Sequence, residues 1–207
     1  MNLHQTRRLA RAAQRVTPCV NWVVCIALAS ACDPAASDTD AAPEAWPTAT
    51  ACEGLDEWPP AFAALEDEAL GRIDMRRAEG ADCGERGKWG PAQALRRRTA
   101  LDCAARFHAL DMATQGYFGR LDPDDRDETD RVAAAGYAAA VLVEHLAAGP
   151  RDAEELVDRT WAPRAVPCQS MADPALTEVG IGHVGDVDDE HGTYWVLLLA
   201  SPAAAAP

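Results

Sequence analysis

The sequence is short of positive charge. Its 207 residues hold 19 Lys and Arg against 33 Asp and Glu, a formal net charge of −14. Four of the cations (Arg7, Arg8, Arg11, Arg15) lie in the first 31 residues, which contain no acid, so beyond them 15 cations face 33 acids, a balance of −18. A nucleic-acid partner is excluded, because a polyanion is bound through a basic surface. The chain also lacks any uninterrupted apolar run approaching the ~20 residues that cross a bilayer, which excludes a polytopic membrane protein. Serine is scarce: Ser170 is the only one between 39 and 200, and no Gly-x-Ser-x-Gly elbow exists. The acidic runs Asp122–Asp130 and Asp186–Glu190 offer oxygen ligands but lack the calcium-loop spacing with its Gly and terminal Glu, so they read as surface charge.

What is present, at 48% hydrophobic and 25% charged, is room for one globular domain with appendages. The four amino-terminal arginines precede an apolar stretch from Cys19 to Ala31, broken only by Asn21 and ending in small side chains, which is the layout of a secretory signal. It closes on Ala29-Ser30-Ala31-Cys32, which resembles the lipobox of bacterial lipoproteins; the alternative is a plain signal cut after Ala31. The expectation is a signal peptide over 1–31, lipid on Cys32, and a tether over 32–50 rich in Ala, Pro, Thr and Asp. The 18 residues that follow Cys32 reach at most ~60 Å extended and average roughly 25 Å as a coil, enough to hold a domain over 51–203 clear of a lipid surface.

Cys19 and Cys25 leave with such a signal, and Cys32 is the lipid acceptor. The even set that remains, Cys52, Cys83, Cys103 and Cys168, reads as two disulfides in an exported domain, with three connectivities open. None of these cysteines has the two-to-four-residue spacing of a zinc site.

Helical periodicity runs through 61–79 (Leu65, Ala69, Leu70, Ile73) and 94–115 (Leu101, Ala104, Ala105, His108, Met112), with shorter helices expected at about 126–135 and 152–162. The period then changes. Glu178–Val184 and Thr193–Ala200 read as strands joined by the acidic loop Gly185–Gly192, a carboxyl-terminal hairpin that makes the class α+β.

Several blocks of sequence resemble one family. Ile73-Asp74, Arg77 and Gly80-Ala-Asp-Cys-Gly84 are similar to "N-x-x-R-x-x-G-x-x-C-G", and Ala104-Ala-Arg-Phe-His-Ala-Leu-Asp-Met-Ala113 to "A-A-R-x-H-A-x-D-M-A". Gly116-Tyr-Phe-Gly-Arg120 stands for "G-F-F-x-H", Arg131-Val-Ala-Ala-Ala-Gly-Tyr137 for "R-I-A-A-A-G-Y", and Val143-Glu-His-Leu-Ala-Ala-Gly149 for "G-E-N-I-A-A-G". Beyond Trp161, Asp173-Pro-Ala-Leu-Thr-Glu-Val-Gly-Ile-Gly182 is similar to "N-P-x-F-T-E-V-G-V-G", and Tyr194-Trp195 completes the series. On these blocks, spanning about 65–201, the chain resembles bacterial members of the CAP superfamily, the SCP-like domain of cysteine-rich secretory and pathogenesis-related proteins. The resemblance implies an α-β-α sandwich with a small antiparallel sheet. It also implies a disulfide between Cys83 and Cys168, since relatives carry both "G-x-x-C-G" and "G-H-C", which leaves Cys52 with Cys103.

Many CAP domains place two His and two acids around a central cleft, some with a divalent metal. Carried over position by position, the first His falls on Arg120, the Glu of "G-E-N" on Glu144, the second Glu on Arg164 and the second His on Pro167. One acceptor of four survives, and guanidinium groups repel a cation, so neither a metal nor another cofactor is expected. Glu144 is expected to pair with Arg120, with Arg164 as the alternative, and to make a poor general acid. His145, beside Glu144, offers a secondary acid/base candidate, but consecutive residues usually point apart and a hydrogen-bonded structural role is the stronger reading. His108, on the apolar helix face, reads as core, and His183 and His191 show no ligand spacing. No catalytic residue is assigned. The expectation is a membrane-tethered, extracytoplasmic, non-enzymatic interaction module of the bacterial envelope, with an envelope ligand or protein as partner. The alternatives are a carrier of sterol or fatty acid, as reported for some family members, and an envelope hydrolase using Glu144.

Overall fold

Pro59 and Pro60 open the first helix, α1 (Pro60–Glu79), where a missing N–H costs nothing, and Gly80 at φ +80° ends it. A Cβ on Gly80 would lie 2.6 Å from the Trp89 carbonyl oxygen, so only glycine turns the chain here. The computed structural model describes Cys52, Leu55, residues 57–185 and residues 187–204; the expected signal, Cys32 and the tether fall outside these. A single stripe of α1 is buried, namely Glu66, Ala69, Ile73 and Arg77. Arg77 donates to the carbonyls of Gln93, Met171, Asp173 and Leu176 at 2.7–3.1 Å, which ties α1 to two distant loops.

A two-stranded ribbon follows, β1 (Ala81–Asp82) against β2 (Lys88–Trp89), and then β3 (Arg96–Arg97), α2 (Thr99–Gln115), α3 (Glu128–Ala134) and β4 (Ala139–Ala148). A π-helical segment Glu155–Trp161, α4 (Ala165–Ala172), β5 (Glu178–Val184) and β6 (Tyr194–Pro202) complete the order. The main sheet runs β3-β5-β6-β4, antiparallel except for the parallel pair β3–β5. Alternation along the strands splits its two faces. Val179, Ile181, Trp195, Leu197, Leu199 and Ala147 pack with α1, the π-helical segment and α4; Val184, Tyr194, Val196, Leu198 and Ala200 pack with α2 and α3. This is an α-β-α sandwich.

The layers approach closely at β5. A Cβ on Gly180 would sit 2.1 Å from the Leu101 carbonyl carbon, and one on Gly182 would sit 2.3 Å from that of Ala105, so α2 rests backbone to backbone on the strand. Disulfides join Cys52 to Cys103 and Cys83 to Cys168. The helix expected over 94–115 starts only at Thr99. Its first residues form β3 instead, because Arg96 pairs with buried Glu178 at 2.9 Å and Arg97 with buried Glu66 and Asp102 at 2.7 Å each, which an extended backbone permits. Among the described residues, no helix is long and apolar enough to cross a membrane.

Candidate functional site

Glu144 stands near the middle of β4, opposite Leu198 of β6, and faces the α2–α3 layer. Asp127 builds the wall above it: its side chain accepts from Thr129 N (2.8 Å) and Asp130 N (3.1 Å), while Asp130 returns a bond to Asp127 N. This reciprocal cap starts α3 and aims Arg131 inward. Arg131 Nη2 donates to Glu144 Oε1 at 2.9 Å, and the same guanidinium donates to the carbonyls of Arg120 (3.0 Å) and Arg126 (2.9 Å), pinning the 120–126 loop over the carboxylate. From α2, His108 Nδ1 lies 3.0 Å from the same oxygen, and against a carboxylate that nitrogen carries the proton. The side chains of Glu144 and His108 are wholly inaccessible to solvent.

Arg120 is the outer member of the cluster. It donates through Nη2 to the Glu144 carbonyl oxygen at 2.6 Å, and its Nε lies 3.8 Å from Oε2, with half of its side chain exposed. Arg164 is exposed at the N-cap of α4 and makes no ion pair among the described residues, and Pro167 lies within that helix. Of the four family cleft positions, the structure therefore brings together Arg120 and Glu144. Sequence reasoning did not assign Arg131 to this site, and it placed His108 in the core without its carboxylate partner. The available signal was an arginine set among Val132, Ala133, Ala134 and Ala135, where a buried guanidinium requires an acceptor.

Burial alone would raise the Glu144 carboxyl, but the His108 hydrogen bond and the charges of His108 and Arg131 outweigh it and hold the group below the usual carboxylate range. A carboxylate so held neither donates a proton at neutral pH nor meets solvent, so it can serve neither as general acid nor as nucleophile from this position. His145, one residue on, points to the other face of the sheet, the side of Val143 and Ala147. Burial first and then the charge of Arg120 push its imidazole down to about 4, so it is neutral at physiological pH. Among the described residues, no group of three or more His, Cys, Asp and Glu is placed to hold a metal ion. The acidic loop residue Asp122 is spent on its own turn, accepting from Asp124 N, Arg126 N and Arg126 Nε. Ser170 donates to the Val166 carbonyl within α4.

A second ionic cluster binds the layers together. Buried Glu66 accepts from Arg97 (2.7 Å), Arg106 (2.5 Å), Trp58 Nε1 (2.8 Å) and His183 N (3.2 Å), and Arg97 continues to Asp102, which accepts from Ile181 N. It joins α1, β3, α2 and β5 and offers no open coordination.

A family model, the cysteine-rich secretory protein family CAP, matches residues 90–199. An extracellular protein containing an SCP domain from Bacillus anthracis is similar in structure, with 15% identity and a TM-score of 0.54, over 67% of this chain and 41% of that one. An outer surface protein from Borrelia burgdorferi is similar at 12% identity and a TM-score of 0.53, over 65% of this chain and 90% of that one. At these identities the likeness is one of fold. This chain spans less than half the length of the Bacillus protein. A comparison with curated proteins returns no match.

Proposed function

As the chain belongs to the cysteine-rich secretory protein (CAP) family, we propose that it is an exported, lipid-anchored CAP domain that acts as a non-enzymatic binding module of the bacterial envelope. One observation carries the reading: the carboxylate at the family's cleft position is inaccessible to solvent and already engaged by Arg131 and His108. Hydrolysis through Glu144 would need a carboxylate that a substrate or an activated water can approach, whereas His108 and Arg131 hold its Oε1, Arg120 Nε lies 3.8 Å from its Oε2 and the side chain is closed to solvent. Anchoring rests on the sequence Ala29-Ser30-Ala31-Cys32 and the tether behind it. Export is supported by two disulfides in the domain, which form in oxidising compartments.

Two experiments test this. Radiolabelled fatty acid fed to an expressing bacterium should enter the wild-type chain and be absent from Cys32→Ala; equal labelling of both contradicts the anchor. Purified protein offered peptidoglycan, casein and short-chain esters should show no turnover above background, and turnover that Glu144→Gln abolishes contradicts the binding reading.

A further inference from the structure

A groove of about 510 Å³ opens at the end of the sandwich where α1 begins, on a different part of the molecule from Glu144. Its volume lies within the ~300–1,000 Å³ typical of small-ligand clefts. Phe62 and Leu65 of α1 and Val187 of the β5–β6 loop form an apolar floor. His183 underlies it, stacked on Trp195 at 3.9 Å between ring centroids and met edge-on by Phe62 at 5.2 Å. Its lining carries charge of both signs: Arg151, and Asp189 with Glu190.

Both charged segments are fixed in place by bonds that leave Arg151 and Glu190 unspent. On the basic side, the Pro150 carbonyl accepts from Trp195 Nε1 and Thr193 Oγ1, each at 2.8 Å, and Arg151 N donates to Glu155 Oε2 at 2.9 Å. The backbone around Arg151 is thus held on both sides, while its guanidinium has no ion-pair partner among the described residues. On the acidic side, Asp189 accepts from Tyr194 Oη (2.5 Å), Gly192 N (2.7 Å) and His191 N (2.8 Å), which locks the loop. Glu190 next to it keeps its carboxylate 87% exposed, with only His191 Nε2 at 3.7 Å.

We infer that this groove binds a short peptide that carries a free carboxylate at one end and an ammonium group at the other. The carboxylate sits on Arg151, which suits it as a two-donor fork. The ammonium sits against Glu190, and apolar side chains lie over Phe62, Leu65 and Val187. A fatty acid would satisfy Arg151 but bring nothing to Glu190, and a polyanion would be repelled by a chain of net charge −14. The inference rests on the reading of the chain as a binding module and names its ligand class.

The test uses the full-length chain and tripeptides Lys-X-Ala, where X is Val, Leu, Ile or Phe, with free termini, followed by isothermal titration calorimetry at low salt. At least one tripeptide should bind with 1:1 stoichiometry. Arg151→Ala should weaken it about tenfold, and amidating the peptide carboxyl should weaken binding to the wild type equally while making no further difference to Arg151→Ala. Glu190→Gln should do the same for acetylation of both amino groups of the amino-terminal lysine. Both substitutions are at exposed residues, and unchanged thermal melts confirm intact folding. No binding by any of the four, or binding indifferent to amidation and to Arg151→Ala, overturns the inference. Mass spectrometry of the peptide afterwards separates the two claims: intact peptide that fails to bind sinks this inference alone, whereas cleavage lost in Glu144→Gln sinks the non-enzymatic reading.

Discussion

Arg131 reaches Glu144 from α3 with Nη2 2.9 Å from Oε1, and both side chains are shut off from solvent, at 2% and 0% exposure. With His108, Arg131 is one of the two groups that compensate the buried Glu144 carboxylate.

Removing Arg131 should therefore cost about 3–5 kcal/mol of stability, because it strands a buried carboxylate and also frees the 120–126 loop. Arg120→Ala, at a half-exposed side chain, should cost about 1 kcal/mol or less. In the double mutant Arg131→Ala/Glu144→Ala the loss should fall short of the sum of the single losses. Urea unfolding of wild type, the three single variants and the double variant measures this; an Arg131→Ala chain within 1 kcal/mol of wild type contradicts the assignment.

His145 gives a pH dependence with a definite sign. Its folded-state pKa, about 4, lies below the ~6.5 of an unfolded histidine, so between these values the unfolded chain binds a proton that the folded chain refuses. Stability should fall as pH drops from about 6.5 towards 4, by up to about 3 kcal/mol. His145→Gln should flatten that interval. The Glu144 contribution has a separate window: its carboxyl is held down, so its stabilisation is present above ~4.5 and disappears as pH falls through the lower folded value. Melting temperatures from pH 7 to 3 for wild type and His145→Gln distinguish the two.

Gly180→Ala and Gly182→Ala should each destabilise beyond the ~1–3 kcal/mol usual for an overpacked core, since the atoms in the way belong to the backbone of α2. Gly90→Ala, where a Cβ meets nothing within 4 Å, is the control and should melt near wild type. Circular dichroism melts decide it.

The disulfides close spans of 51 and 85 residues, and the chain-entropy relation gives roughly 4 kcal/mol for the first and slightly more for the second. Reduction should lower the melting temperature markedly, and Cys83→Ala/Cys168→Ala should account for at least half of the drop. A melt unchanged by reductant contradicts this.

The sequence announced the elements whose pattern is local and left out those that depend on a partner. Helix α1 and strands β5 and β6 were legible from periodicity, with ends within two residues of those observed. Strand β3 was not, because Leu95–Arg98 carries no strand alternation and is extended by carboxylates on α1, α2 and β5, far away in sequence. Strand β4 was hidden too: Ala139–Ala148 is an edge strand with apolar residues on consecutive positions, and its period shows only when β6 is laid beside it. At the site, Glu144 was visible through the resemblance. Arg131 and His108 were not assigned to it, because their roles follow from the packing of α2 and α3 on one face of the sheet.

If Glu144 serves the fold and is closed to ligands, titration of Zn²⁺ into the full chain, followed by calorimetry, should find no metal held by its carboxylate. Wild type and Glu144→Gln should give the same heats, with no stoichiometric site in either. One equivalent of Zn²⁺ bound by the wild type and lost in Glu144→Gln would show instead that the carboxylate still serves a metal site.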